Sequence, residues 1–586
     1  MSRRRSLRAA VVGGGLVLVL AALWAAWQVY QVNRDLTDAV DHGRAIQAAV
    51  EARDSDALDE ELEALRTSSE SAADRTSGFT WSVLTKLPLV GDDARGVEVT
   101  SAVLHDLARD GVGPLAIASA QFEELLPHGG AIGVGAARRL QEPVARAERA
   151  FRTADRTLSE VDTNGFVSRL DGQFSDFSKQ VSDAARALRT ARLTADLMPA
   201  VLGEDGPRTY LLAFQNNAEL RSTGGLPGAV AFLEADHGKI SMVRQASGGS
   251  FPPLASPVLP LTDAEQDLYG DVLGTYFVDA GMTPDVPRAA ELMRAHVGRE
   301  YPGMRLDGVI MVDTVALSYL LDATAPVQVD GVAISGENVV DELLHKTYLR
   351  LDSVAQDAFF AEVAKQVFER MTGGVDNPDA LLRGLARAAG ERRLFLHLFD
   401  EDEQDRIAGT LVAGELTPAA ASSRPRIDVA LNDTTGSKMS YYLRTETDIR
   451  ATSCVGDVQA YSAKMRLRSA APPDAASLPA DVTGGGFYGI TPGTQLVTLR
   501  IFGPVGGKLA EVSWNGKPLE LVHVEQDGRP VGMTYIQLDP GQVADLAWTM
   551  RSGEGQTGAT ALAMTPTMEK KDGARMVASA CAEERG

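Results

Sequence analysis

Apolar positions recur at three- and four-residue steps from about Arg34 to Leu202, so this stretch reads as helix. Leu170, Phe174, Phe177, Val181 and Leu188 keep the period well. Val40, Ile46, Val50, Leu58, Leu62 and Leu65 keep it more loosely. Glycine and proline clusters predict breaks at Pro88 to Gly91, Gly111 to Pro114, His128 to Gly130 and near Thr163 to Gly165. The polar faces carry mixed charge. A bundle of antiparallel helices is the preferred reading, and a partner-binding stalk is the alternative.

From about Gly206 to Ala420 the period changes. Strand-like runs occur at Tyr210 to Phe214, Ala229 to Glu234, Lys239 to Val243, Leu306 to Val312 and Pro326 to Val329. Helical patterns occupy Val286 to Tyr301, Thr314 to Leu321, Glu337 to Leu351, Val354 to Met371 and Asp379 to Ala389. Such alternation predicts an α/β sandwich. In the pattern Glu337 to Leu351, Asn338, Asp341, Glu342 and Lys346 are expected on a solvated helix face.

From Arg424 to about Thr567 short alternating runs are separated by Gly, Pro, Asn and Asp. Gln495 to Phe502, Ala510 to Trp514 and Met533 to Leu538 are examples, and Asn515-Gly516 is a strong hairpin signal. This region is expected to be an all-β sandwich, followed by a polar tail from Met568. The predicted fold class is multidomain α+β. Its parts are a basic stub (1–8), a transmembrane helix (9–32), a helical bundle or stalk (33–203), an α/β domain (204–423) and a β-sandwich domain (424–586).

The N-terminus sets the expected location. Arg3, Arg4, Arg5 and Arg8 precede an uncharged run from Ala9 to about Val32. Roughly 20 such residues cross a bilayer core of about 30 Å. The arginines are expected to stay in the cytoplasm and the bulk of the chain to lie outside. Trp24, Trp27 and Tyr30 fit an aromatic belt at the outer end. A cleaved signal peptide is the competing reading. A chain of 586 residues suggests three or four domains, and its formal charge of −22 argues against nucleic-acid binding. With the bulk outside, the two cysteines, Cys454 and Cys581, are expected to form a disulfide, two buried thiols being the alternative.

Few motifs carry chemistry. The eight histidines are scattered without HExxH or ligand spacing, and no G-x-S-x-G or S-x-x-K is present. Gly503 to Lys508 fails the phosphate-loop spacing, with Leu509 in place of the hydroxyl. One segment stands apart. After the apolar run Tyr210 to Phe214 come Gln215, Asn216, Asn217, Glu219 and Arg221, then Gly224 and Gly225. Asn216 and Asn217 offer donors and acceptors. Glu219 offers a carboxylate for a cation or hydroxyl, and Arg221 a bidentate anion contact. The glycines admit close backbone approach. The ligand-binding candidates are therefore Asn216, Asn217, Glu219, Arg221, Gly224 and Gly225. The competing reading is an internal network that locks a turn.

The stretch Arg208 to Gly225, followed by Phe232 to Ile240, resembles the signature of the DUF4012 family of bacterial envelope proteins. Thr283 to Ala290, Leu306 to Leu317 and Ser437 to Tyr442 agree with it. The order of elements is also similar to that of the LytR-CpsA-Psr phosphotransferases, which move glycopolymers from polyprenyl-pyrophosphate carriers to peptidoglycan. That resemblance implies that Arg221 matches the arginine of an Arg-x-Asp-Thr motif. It departs where Thr223 replaces the motif aspartate, and where Gln245 to Gly249 lacks an Arg-Asp pair.

The expectation is an extracytoplasmic, membrane-anchored envelope protein that binds a glycopolymer or a lipid-linked phosphate ligand. The alternative is a phosphotransferase moving glycopolymer from a polyprenyl-pyrophosphate carrier to the wall. That alternative needs Glu219, Arg221 and Asp285, Arg305 or Asp307 to converge on one pocket, with a divalent cation as the implied cofactor.

Overall fold

A computed structural model describes residues 2–583 apart from 53, 89, 418–423 and 572, and side-chain detail begins at Trp24. The chain divides into two units, residues 1–125 with 133–200, and residues 126–132 with 201–586.

The first unit is helical, as the three- and four-residue period predicts. Its helices are α1 (Ser2–Ala52), α2 (Ser55–Ser77), α3 (Phe79–Leu84), α4 (Gly91–Leu107), α5 (Gly113–Phe122), α6 (Val134–Ser159) and α7 (Ser168–Val201). Asp54 starts α2 by accepting from Ala57 N at 3.0 Å. α2 then returns along α1, fixed by Asp35 with Arg75 at 2.8 Å and His42 with Glu61 at 2.6 Å. The break expected at Gly111 to Pro114 is instead a π turn, Ala108–Val112, joining α4 to α5. Pro114 follows directly on this turn inside the continuous helical run, where it has no N–H to give to the preceding turn. Most of the expected membrane span, residues 9–23, lies outside the residues with described side chains. Among the described residues no helix is long and apolar enough to cross a membrane.

The second unit is layered. Strands β1 (Arg208–Asn216), β2 (Leu226–Asp236) and β3 (Lys239–Ser247) are followed by helix α8 (Val286–Glu300), strand β4 (Gly308–Asp313) and helix α9 (Thr314–Leu321). A small hairpin, β5 (Val327–Val329) and β6 (Val332–Ile334), precedes α10 (Ser353–Gly373), α11 (Pro378–Gly390) and β7 (Leu394–Leu398). The main sheet has the order β3-β2-β1-β4-β7, with β1 and β4 parallel and the other pairs antiparallel. Sequence patterning misses β7. The segment Glu337 to Leu351 is not one helix, because a π turn, Glu342–Lys346, interrupts it. Glu342 is buried there, between Lys346 at 3.1 Å and Arg350 at 2.7 Å, rather than on a solvated face.

The β-rich part consists of β8 (Arg426–Asp433), β9 (Leu443–Val455), β10 (Val458–Ser469), β11 (Gln495–Phe502), β12 (Lys508–Trp514), β13 (Lys517–Pro518), β14 (Val522–Gln526), β15 (Arg529–Leu538), β16 (Val543–Arg551), β17 (Thr560–Met564) and β18 (Ala574–Val577). A six-stranded sheet, β14-β15-β11-β8-β17-β18, and a five-stranded one, β13-β12-β16-β10-β9, enclose one core. Part of the expected polar tail is β18, paired with β17, and Cys581 is bonded to Cys454.

The central strands of the six-stranded sheet, β8 and β11, are buried on both faces. Val497, Leu499 and Ile501 of β11 face the sandwich core, while Phe502, Ala430 and Val531 join the core built on β1, β2, β4 and α8. Polar side chains on that second face are buried too. Arg500 donates to Leu268 O, and Arg529 to Leu416 O at 2.7 Å and to Gly503 O at 2.8 Å. A shared layer therefore joins the α/β region to the β-rich region within this unit.

Candidate functional site

The polar segment after β1 sits where the main sheet meets the six-stranded sheet. A bulge between Phe214 and Gln215 shifts the register of the pairing with β2, which continues to Asn216 opposite Leu226, while Gln215 stays beside Asp313 of β4. Asn216 accepts from Ala218 N at 2.9 Å and donates to the Tyr348 hydroxyl at 2.6 Å. The first bond closes a local turn, which is the habit of asparagine in this position. Asn217 donates to Gly224 O at 3.0 Å and to Asp313 Oδ2 at 2.8 Å, tying the two ends of the segment together. Asp313 also caps α9 through Ala316 N and receives Arg393 Nη1 at 2.7 Å. Arg393 in turn donates to the carbonyls of Thr567 and Glu569.

Glu219 and Arg221 do come together, in a closed network. Arg221 Nη2 lies 2.8 Å from Asp279 Oδ1 and 3.3 Å from Glu219 Oε1. Its Nη1 donates to Leu220 O. The second oxygen of Glu219 receives Lys438. Both Glu219 and Arg221 are buried. The backbone completes the joint: Asp433 N donates to Leu220 O at 2.9 Å, Ser222 N to Asn432 Oδ1 at 3.0 Å, and Thr565 Oγ1 to Ser222 O at 3.2 Å. Asn432 returns a bond to Ser222 Oγ at 2.9 Å.

Electrostatics follow from this enclosure. Burial pushes Glu219 up, but Lys438 and Arg221 outweigh it and hold the carboxylate below its ordinary range. Asp279 has one cation instead of two, so burial wins and its pKa is raised. Asp433, buried and near Glu219, is pushed up to about 6. Burial opposes charge on Lys438 and Arg221, yet the facing carboxylates hold both above their ordinary values. Three carboxylates thus face two cations, and burial raises two of them, Asp279 and Asp433.

The glycines serve the turn itself. A Cβ on Gly225 would lie 2.3 Å from Asn216 O, and Gly224 has φ +134°. Thr223, in the place of the phosphotransferase aspartate, accepts from Gln215 Nε2 at 2.7 Å. A Cβ on Gly281 would lie 2.5 Å from the Thr223 Oγ1, so the threonine packs directly against the glycine backbone. Gln215 Oε1 and Asn217 Oδ1 are buried without a partner.

The other residues needed by the phosphotransferase alternative do not converge here. Asp307 accepts from Thr209 N at 2.8 Å, at the opening end of β1, and Arg305 is exposed before it. Asp285, half-buried, accepts from Leu416 N at 3.0 Å and is pushed up to about 6 by desolvation. Among the described residues no three His, Cys, Asp or Glu side chains form a group able to hold a metal ion.

Patterning does not reveal a cleft of about 840 Å³ beside the joint. Arg387, Glu391, Glu569, Lys570, Lys571 and Arg575 are among its lining residues. Arg387 pairs with Glu391 and Lys571 with Glu569, while Lys570 lies over the Tyr319 ring and Arg575 donates to Thr447 O. The run Lys570-Lys571 and Arg575 was the available signal, in a stretch that reads as tail.

No curated protein and no solved structure matches the chain, so the phosphotransferase resemblance has no match behind it. Residues 205–348, which hold β1, the polar segment, Asp279, Asp313 and Tyr348, match the family described as "Protein of unknown function (DUF4012)".

Proposed function

We propose that this protein is a single-pass, membrane-anchored component of the bacterial envelope that holds glycopolymer outside the cell without transforming it. Residues 9–32 form the anchor in this reading, with the N-terminal arginines in the cytoplasm. The uncharged run and the arginines before it support that placement, and the Cys454–Cys581 bond suits an oxidising compartment. The observation that carries the non-catalytic reading is the closure of the Glu219, Arg221, Asp279 and Lys438 network within the protein. A phosphoryl-transfer site has to present its charged groups to a substrate.

Ligand contact then falls to the cleft, whose Lys570 and Arg575 offer cations to a phosphate-bearing chain. The test is retention of the full chain, in detergent, on immobilised phosphate-bearing wall glycopolymer. The double change Lys570→Glu with Arg575→Glu should lower retention, and Arg221→Lys, where still folded, should not. Loss of retention in folded Arg221→Lys with full retention in the cleft variant would reverse the assignment.

A further inference from the structure

The first unit carries an apolar collar that nothing covers among the described residues. Short helix α3 is docked on one side only. Trp81 is buried with Val32 and Ala94, and its Nε1 donates to Ala94 O at 2.8 Å. The opposite side leaves Phe79 87% exposed, and Val83 and Leu87 are exposed with it. Soluble surfaces rarely cluster large apolar groups in this way without a partner.

Position identifies the partner. Trp24 Nε1 donates to Thr80 Oγ1 at 3.3 Å, which puts Phe79 at the level of Trp24 on α1. Trp24, Trp27 and Tyr30 are exposed on α1 as well. From Trp24 to Asn33 the chain has no charge, and from Phe79 to Gly91 the only charge is Lys86. The charged pairs begin one step further out, with Arg34 and Asp38 and with Asp35 and Arg75. Two segments distant in sequence therefore share one neutral, aromatic-rich level, at the outer end of the uncharged run that begins at Ala9. Tryptophan and tyrosine collect at this depth of a bilayer because their rings are apolar and their N–H and O–H groups remain hydrated.

We propose that α3 and the turn after it lie in the outer interfacial zone of the bilayer from which α1 emerges. Phe79, Val83 and Leu87 enter the lipid beside Trp24 and Trp27. The helical unit then meets the membrane over a surface rather than at one helix, which limits the tilt of α1. This inference rests on the anchoring proposed above.

Both native cysteines are in the disulfide, so single-cysteine labelling is clean. Phe79→Cys and, as reference, Ile117→Cys are labelled with an environment-sensitive fluorophore in the full chain and reconstituted into phosphatidylcholine–phosphatidylglycerol vesicles. Ile117 is exposed, and its neighbour Ala116 shares a core with Ile46, roughly 33 Å along α1 from Trp24. The expected result is flotation with the vesicles, a blue shift at position 79 quenched by headgroup-proximal lipid quenchers, and water-like emission at 117. Flotation with water-like emission at both positions overturns the collar and leaves the anchor standing. Failure to float overturns the anchor itself. A blue shift at 79 that persists in detergent and disappears on dilution assigns the patch to a second copy and overturns the proposal. Leu87→Cys repeats the measurement should Phe79→Cys fail to fold.

Discussion

Arg221 Nη2 lies 2.8 Å from Asp279 Oδ1, and both side chains are withdrawn from solvent into the joint between two sheets. A buried charge that loses its partner keeps its desolvation penalty. Lys438→Met, which leaves Glu219 with Arg221 alone, is expected to destabilise the second unit by about 3–5 kcal/mol. Glu219→Gln with Lys438→Met should cost less than the sum of the single changes, because the pair is removed together. Denaturant unfolding followed in peptides of residues 201–586 measures both.

Gly225→Ala tests the packing of the turn. The new Cβ meets backbone atoms, Asn216 C and O at 2.3 Å, and neither can move without disturbing the end of β1. A loss of about 2–4 kcal/mol is expected, the size seen when a close-packed site is overfilled against backbone. Gly228→Ala, whose Cβ would meet only Leu226 Cδ2 at 3.6 Å, is the matched control and should be nearly silent.

Asp433 gives the joint a pH signature. Its pKa rises from 3.8 to about 6 on folding, through burial and the nearby Glu219 charge. The folded state therefore holds the extra proton between those values. Its stabilisation is complete below about pH 4 and is lost as pH rises through about 6. His397 runs the other way: burial and Arg294 lower it to about 4, so its contribution is lost as pH falls from 6.5. Comparing wild type with Asp433→Asn at each pH cancels that opposing term. The difference should move against the wild type by about 2.4 kcal/mol between pH 4 and pH 7, given 1.36 kcal/mol per unit. Thermal unfolding of both proteins across this range checks the sign.

The disulfide fastens the last strand. Cys454 lies on β9 and Cys581 follows β18, closing a separation of 127 residues. Cys454→Ser with Cys581→Ser is expected to cost about 2–5 kcal/mol. Hydrogen exchange should show the loss first in β18, an edge strand held by β17 on one side.

Much of this architecture is legible in residue order. The helical period, the strand run Tyr210 to Phe214 inside β1 and the Asn515-Gly516 hairpin all fall where patterning puts them. The role of Glu219 and Arg221 is not legible locally, because their partners are remote. Asp279 is 58 positions from Arg221, Lys438 is 219 from Glu219, and Thr565 is 343 from Ser222. A polar cluster that faces a ligand and one that faces its own fold have the same composition. The same ambiguity hides the shared layer. Ile427, Val429 and Leu431 alternate with Asp428, Ala430 and Asn432, which reads as a strand half exposed to water, yet every one of these residues is buried. The short run Leu394 to Leu398 follows a helix too closely to stand out, so β7 is missed.

The central claim is that the segment from Asn217 to Gly225 is a structural joint. Hydrogen exchange of those amides in the wild-type full chain, with and without added pyrophosphate, tests it directly. The account predicts slow exchange that pyrophosphate leaves unchanged. Fast exchange that slows when pyrophosphate is added would contradict it, and would return Arg221 to the role of an anion ligand.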